Sequence, residues 1–178
     1  MCTLNLAAWA KGCQDISGVR YLYAIDKSAR IAADITYSVT GNAITITGTG
    51  AEAYKLEPVQ NSVSITNAVN SSPDSNSLFY LQALSAILHG NSAALGTLVE
   101  NINKGRTEWL VELADGTYRM LGTDTNGLQT DGGDGFASGL AAGDAKAATL
   151  SLSGQSTYIA PVLADFTSFT DAFTVSEP

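Results

Sequence analysis

Carboxylate and amide side chains are concentrated in and around one glycine-rich stretch in the second half of the chain. They belong to Asp124, Asn126, Asp131, Asp134 and Asp144. Oxygen ligands of these types are the ones that Ca²⁺ binds in proteins. The spacing does not follow an EF-hand, because the sixth position from Asp124 is not glycine and no glutamate closes the loop. Asp and Asn next to Gly are also the residues that turns require, so we predict turns here and no metal site.

A second motif, the pattern G-x-G-x-x-A at Gly48, Gly50 and Ala53, is typical of dinucleotide-binding turns. Such a site needs the N-terminus of a helix directly behind the glycines. The residues that follow include Pro58 and form no helix of useful length. We therefore predict a turn between strands, and no cofactor.

The usual nucleophile and zinc-ligand patterns are missing from the sequence. His89 is the only histidine, and no G-x-S-x-G elbow supplies a nucleophile. Cys2, Cys13 and His89 lack the spacing of zinc ligands. Free thiols in a reducing cytoplasm are the favoured state of the two cysteines, with a Cys2–Cys13 disulfide as the alternative. We predict no catalytic residue and no enzymatic activity.

The composition fits one domain with an unusual surface. Of the 178 residues, 45% are hydrophobic, which is enough for a sizeable core, and only 15% are charged, below the usual ~25%. A low charge fraction suggests surface that is covered by other subunits. The net charge of −8, from 17 acidic and 9 basic side chains, argues against binding nucleic acid through its phosphates. No apolar run approaches the ~18 residues of a membrane helix, and the first residues lack the basic start of a signal peptide, so we expect no membrane association.

The segment TEWLVELADGTYRMLG predicts a β-hairpin. Asp115-Gly116 is a strong signal for a two-residue type I′ turn, in which both residues adopt positive φ. Such a turn places Glu112 opposite Arg119 on one face of the ribbon. The other face is apolar.

Further strands are predicted where apolar and polar residues alternate. These segments are 18–26, 30–39, 43–50, 53–56, 62–69 and 148–154. Residues 79–88 have a helical stripe of leucines but begin with aromatic residues, and we favour a strand there over a helix. The spacing predicts a mainly-β fold, an antiparallel β-sandwich or barrel.

One clear helix is predicted at about residues 92–103. Asn91 can cap its start, and Gly105 lies just past its end. Leu95, Leu98, Val99 and Ile102 form one apolar stripe, so we expect this helix to flank the β-sandwich. Residues 3–12 are a second, shorter helix candidate that ends at Gly12.

Long connections and the C-terminal tail stand out against this compact pattern. Residues 70–77 and 123–145 are predicted loops, and loops of such length are usually functional or disordered. The tail, residues 164–178, spaces Phe166, Phe169 and Phe173 without an evident folded context. We therefore predict one domain over residues 1–163 and a tail that docks on a neighbouring subunit.

The order of elements resembles that of a family of bacteriophage structural proteins, the tail tube (major tail) proteins, particularly of phages with Bacteroidetes-type hosts. The resemblance is carried by F-Y-x-Q-x-L at 79–84, the helix ending in Lys104-Gly105-Arg106, the hairpin strand at 107–122 and TNGLQT at 125–130. It continues through Ala142-Gly143-Asp144 and the strand at 148–154, and at the N-terminus through Cys13 with residues 18–26.

The resemblance implies a structural virion protein that is not an enzyme. Such subunits form rings, usually hexameric, that stack into a hollow tube through which DNA passes without specific binding. It implies other tail proteins as partners and a place in the virion tail after assembly in the host cytoplasm. An acidic inner wall suits such a conduit. The expected inter-subunit contacts are Asp124, Asn126, Asp131, Asp134, Phe166, Phe169 and Phe173.

Two alternatives stay open at this point. The first is another virion β-protein, either a capsid decoration protein or a tail-completion or connector ring. The second is a calcium- or carbohydrate-binding β-module, motivated by the acidic loop and by Trp9 and Trp109.

Overall fold

The computed structural model describes residues 18–59, 61–72, 77–89, 93–124, 126–132 and 147–177. Three helices lie among the strands: α1 (Lys27–Ala32), α2 (Ala93–Lys104) and α3 (Phe166–Ala172). The strands are β1 (Val19–Asp26), β2 (Thr36–Thr40), β3 (Ala43–Thr47), β4 (Ala51–Leu56), β5 (Ser64–Ser72), β6 (Ser77–His89), β7 (Thr107–Leu113), β8 (Tyr118–Leu121), β9 (Gln129–Thr130), β10 (Ala147–Ser156), β11 (Val162–Leu163) and β12 (Phe173–Ser176). The predictions of a mainly-β fold, of a strand at 79–88 and of a flanking helix near 92–103 are confirmed.

The strands form two sheets. The eight-stranded sheet has the order β12-β4-β1-β7-β8-β11-β3-β2, and the four-stranded sheet has the order β5-β6-β10-β9. Most pairings are antiparallel, but β11 pairs with β3 and β12 with β4 in parallel, which the antiparallel prediction did not include.

Apolar side chains of both sheets meet in one buried cluster. Trp109 of β7 contributes to it from the eight-stranded sheet, and Leu84 of β6 and Leu150 of β10 contribute from the four-stranded sheet. Leu95 and Val99 of α2 belong to the same cluster. The predicted helical stripe therefore packs α2 against the core between the two sheets.

A second buried cluster covers the opposite face of the eight-stranded sheet. It includes Ile25 of β1, Leu110 of β7 and Met120 of β8, together with Phe169 of α3. Because both faces of this sheet are covered, β7 is buried along nearly its whole length.

The hairpin between β7 and β8 forms, but its predicted register is wrong by one residue. Glu112 lies opposite Tyr118, and Val111 lies opposite Arg119. The loop has three residues, 114–116, and among them only Gly116 has a positive φ, of 83°. A three-residue loop ending in a left-handed glycine competes with the two-residue type I′ turn for the same Asp-Gly sequence.

The predicted strand at 30–39 is partly a helix. Residues Lys27–Ala32 form α1, and the strand begins only at Thr36. The side chain of Asp26 accepts hydrogen bonds from the backbone N–H groups of Ser28 and Ala29, which caps the helix. The alternation of Ile31 with Ile35 favoured a strand over this helix start. Ile31 is exposed, so it does not belong to a buried strand face.

The C-terminal tail folds onto its own chain, so the prediction that it docks on a neighbour is wrong for its buried part. Residues 166–172 form α3, and β12 then pairs with β4. Asp165 caps α3 by accepting from the Thr167 N–H. The sequence showed the phenylalanines but not the sheet face that receives them.

Other predictions fall partly or wholly outside the described residues. The predicted loop 70–77 is strand up to Ser72 and again from Ser77, and the predicted loop 123–145 contains β9. The helix proposed at 3–12, the cap at Asn91, and both cysteines lie outside the residues described here. None of the described helices is long and apolar enough to cross a membrane.

Candidate assembly surface

The four-stranded sheet contains no charged residue. Its strands, β5, β6, β9 and β10, include no Asp, Glu, Lys or Arg. The eight-stranded sheet differs, since it carries Glu52 and Lys55 on β4 and Glu108 and Glu112 on β7. The charges of an acidic chain are thus kept off one of its two sheets.

The outer face of the four-stranded sheet carries mostly small or apolar side chains, and its larger polar groups are uncharged amides. Leu84 and Leu152 lie opposite each other and point into the core, so their neighbours along each strand point outward. The outward set includes Ser64, Thr66, Ala68, Leu81, Ala83, Ser85, Ile87, Thr149, Ser151 and Ser153 and the amides Asn70, Gln129 and Gln155, and none of these side chains is buried. A second surface can cover this face without dehydrating a charge, which is the most costly group to bury.

Among the residues that the structure describes, strand β5 forms an open edge of this sheet. It has nine residues, its register with β6 runs without a bulge, and it contains no proline. Such an edge presents a row of unpaired backbone N–H and C=O groups. Natural edges are usually protected by charges, prolines, bulges or short length, and β5 has none of these. Val69 on this strand is 62% exposed.

The acidic residues predicted as contacts do not form a cluster in the described part of the chain. The Asp124 carboxylate accepts hydrogen bonds from the backbone N–H of Thr157 at 2.8 Å and from its hydroxyl at 2.9 Å. Asn126 and Asp131 are exposed, and Asp134 and Asp144 lie outside the described residues. Among the residues that are described, no group of three or more His, Cys, Asp or Glu side chains is arranged to hold a metal ion.

The three phenylalanines predicted as contacts serve the core instead. Phe169 is fully buried and Phe173 is 2% exposed, so neither is available to a neighbour. Phe166 is half-buried, and its ring stacks on Tyr118 with 4.4 Å between centroids.

A buried ionic network lies in the eight-stranded sheet and was not predicted. Glu108 is completely buried. Its Oε1 accepts from Lys27 Nζ at 2.9 Å and from Arg30 Nη2 at 2.9 Å, and its Oε2 accepts from Arg30 Nε at 3.2 Å and from the Tyr37 hydroxyl at 2.7 Å. Burial, and next the Glu108 carboxylate, raise the pKa of Tyr37 well above its usual range. The network fixes α1 and β2 to the sheet and leaves no free acid or base.

A smaller polar group surrounds Glu112, the residue predicted to face Arg119. Glu112 accepts from the Tyr23 hydroxyl at 3.2 Å and lies 3.7 Å from the Arg20 guanidinium. Burial, followed by the charge of Glu112, raises the pKa of Tyr23. Arg119 instead donates to the carbonyl oxygen of Ala160 at 2.9 Å.

A cavity of about 410 Å³ lies between α2 and strands β1 and β4. Its acidic lining groups are already engaged, because Asp26 caps α1 and Glu52 accepts from the Tyr54 hydroxyl. Arg106 is the one basic residue among the lining residues. Among the described lining residues there is no histidine or cysteine, and this set of groups matches no nucleophile-and-base arrangement.

No family model, no curated protein and no solved structure matches the chain.

The candidate assembly surface has a signal in the sequence, and its strands β5, β6 and β10 were predicted, whereas β9 lies in the predicted loop 123–145. The signal is the absence of Asp, Glu, Lys and Arg from residues 77–89 and 147–156, and from residues 64–72. Strand order, which makes β5 an edge, cannot be obtained from this signal. The Glu108 network had no local signal, since its partners lie 71 to 81 positions away along the chain.

Proposed function

We propose that this chain is a structural subunit of the tail tube type, whose copies join side by side through the four-stranded sheet into rings. The rings stack into a conduit through which DNA passes. The subunit is not an enzyme and needs no cofactor.

The observation that carries the proposal is the open, uncharged edge of β5. Nine residues of unprotected edge are a liability for a monomer, because they template pairing with other chains. A subunit that is always paired at this edge has no such liability. Addition of a strand to a sheet edge gives affinity through the main chain and asks little of the side chains.

The charge distribution supports association through the same sheet. Each copy carries a net charge of −8, so two copies repel each other when their acidic surfaces face. Exposed acidic residues such as Glu52, Asp165 and Asp171 lie outside the four-stranded sheet. Contact through a neutral surface keeps these groups apart and hydrated. The same groups are the source of the acidic inner wall that we expect of the conduit.

Sedimentation velocity and negative-stain microscopy of the purified chain, over a wide concentration range, test the proposal. We expect rings and stacked tubes. Thr66→Lys places a charge in the middle of β5 and should shift the sedimentation profile to monomers. Thr97→Lys, on an exposed position of α2, is the matched control and should assemble like the unmodified chain.

Two results would contradict the proposal. One is a chain that stays monomeric at every concentration, including in co-expression with other tail proteins. The other is an assembly that forms equally well with Thr66→Lys. Single rings that never stack would instead indicate a tail-completion ring.

A further inference from the structure

Strand β2 is a second open edge, at the far end of the other sheet. It forms the end of the eight-stranded sheet beside β3. Four of the five residues in its sequence, Thr-Tyr-Ser-Val-Thr, favour strands. Thr36, Ser38 and Thr40 are exposed.

Four sheet edges exist in the described residues: β5, β9, β12 and β2. Strand β9 has two residues and is followed directly by Asp131. Strand β12 has four residues, is followed by Glu177 and lies against Glu52 and Lys55 of β4.

Strand β2 is better suited than β9 or β12 to pairing. It has five residues, and the residues on either side of it, Ile35 and Gly41, are uncharged. Its neighbour β3 is uncharged as well. Among the described edges, β2 and β5 thus share the same unprotected character.

On the basis of the proposed function, we infer that β5 of one copy pairs with β2 of the next copy. Pairing of β5 with β5 of a second copy would close a dimer and leave β2 open on both partners. Pairing of β5 with β2 satisfies both unprotected edges with one kind of contact. Such a contact joins two different surfaces, and contacts of that kind produce rings or open helical assemblies.

The buried Glu108 network makes β2 a rigid acceptor for this contact. Tyr37 of β2 donates to Glu108 at 2.7 Å, and Thr36 shares a hydroxyl hydrogen bond of 2.8 Å with Thr47 of β3. The edge is therefore held in strand geometry before the neighbour arrives, which lowers the ordering cost of association.

Disulfide cross-linking of the assembled chain tests the pairing. In a background with Cys2→Ser and Cys13→Ser, Ser38→Cys is combined in turn with Ser64→Cys, Thr66→Cys or Ala68→Cys. All four positions are exposed, and the three positions on β5 sample successive registers on its outward face. Neighbouring strands lie ~4.8 Å apart, which is close enough for a disulfide between facing positions.

We expect at least one double variant to give a ladder of covalent dimers, trimers and larger species on a non-reducing gel. The single variants should remain monomers on the same gel. The combination of Thr66→Cys with Thr174→Cys, an exposed position on β12, is the matched control and should give no ladder.

The inference is overturned if the chain assembles but Thr66→Cys alone gives covalent dimers, because that result shows β5–β5 pairing. It is also overturned if none of the three double variants gives a ladder, or if the control with Thr174→Cys does. Failure of the proposed function is a different result, since the chain then sediments as a monomer before any cross-linking.

Discussion

The two sheets of this protein differ in where they carry charge and in how many of their faces are covered. The eight-stranded sheet buries a carboxylate, Glu108, with a lysine and an arginine around it, and covers both of its faces with side chains of its own chain. The four-stranded sheet has no charged residue, covers one face, and leaves β5 open. One sheet has both faces covered by its own chain, and the other has a face that its own chain leaves uncovered.

The comparison shows where charge is useful in a self-assembling β-protein. Paired and buried, as at Glu108, charge fixes one arrangement of α1, β2 and the sheet. On an edge, charge would prevent further strand pairing, which is why monomeric proteins place it there. The absence of charge from β5 is therefore as informative as its presence at Glu108.

Glu108→Ala should produce the largest loss of stability, and it tests the buried ionic network of the eight-stranded sheet. The substitution leaves the buried groups of Lys27 and Arg30 without a counter-charge. We therefore expect the free energy of unfolding to fall by about 3–5 kcal/mol. Denaturant unfolding measures it. Glu100→Ala removes an exposed pair with Lys104 on α2 and should leave the unfolding midpoint unchanged. Equal effects of the two substitutions would contradict the role of Glu108 as the buried counter-charge of Lys27 and Arg30.

Phe169→Ala tests whether the tail belongs to its own chain. The side chain is fully buried, and removing it should cost about 3–5 kcal/mol. Because the Phe169 ring packs against the rings of Tyr23 and Phe173 of the same chain, the loss should be identical in dilute and concentrated protein. A loss that appears only at concentrations where the chain assembles would show that the tail docks on a neighbour.

Gly154→Ala tests the packing of the uncharged sheet against the loop before β9. A Cβ at this position would lie inside contact distance of the Gly127 carbonyl oxygen and 2.9 Å from Leu128 Cδ2. We expect overpacking to lower the free energy of unfolding by about 1–3 kcal/mol. Gly96→Ala on α2 meets no atom within 4 Å and should stabilise the chain by about 0.4–1 kcal/mol. Thermal unfolding that gives both variants the same sign would contradict the packing.

Asp115→Ala should produce the smallest effect, in the hairpin loop of the eight-stranded sheet. Hydrogen bonds from the hydroxyl and then from the N–H of Thr117 lower the pKa of Asp115. A carboxyl whose pKa is lowered by folding stabilises the folded chain at pH values above its unfolded pKa of ~3.9. This contribution to stability is lost as the pH falls through the folded pKa.

Because Asp115 is mostly exposed, solvent screening keeps its contribution below about 0.5 kcal/mol. The difference between Asp115→Ala and the unmodified chain should be constant above pH ~5 and shrink below pH ~4. Chemical unfolding over this pH range measures it. A difference that grows on acidification would contradict the sign.

The sequence analysis predicted what depends on local pattern. Alternation identified β1, β3, β5 and β10, and the stripe of Leu95, Val99 and Ile102 identified α2. It failed where two local signals compete. Asp115-Gly116 fits both a two-residue and a three-residue loop. The three-residue loop forms, and it places Glu112 opposite Tyr118 instead of Arg119.

Non-local arrangements were beyond the sequence analysis for a different reason. The sheet face that buries Phe169 and the partners of Glu108 are assembled only through the strand order of the eight-stranded sheet. That order also decides which strands are edges. The uncharged character of β5 was available in the sequence, whereas its position at an edge was not.

Amide hydrogen exchange of the chain, compared between its monomeric and assembled forms, tests the central claim most directly. Mass spectrometry of peptides that span β5 and β7 gives the comparison. We predict that assembly protects backbone amides of β5 and leaves the amides of β7, in the interior of the eight-stranded sheet, unchanged. Identical exchange of β5 in the two forms would contradict the claim that this uncharged edge joins one copy to the next.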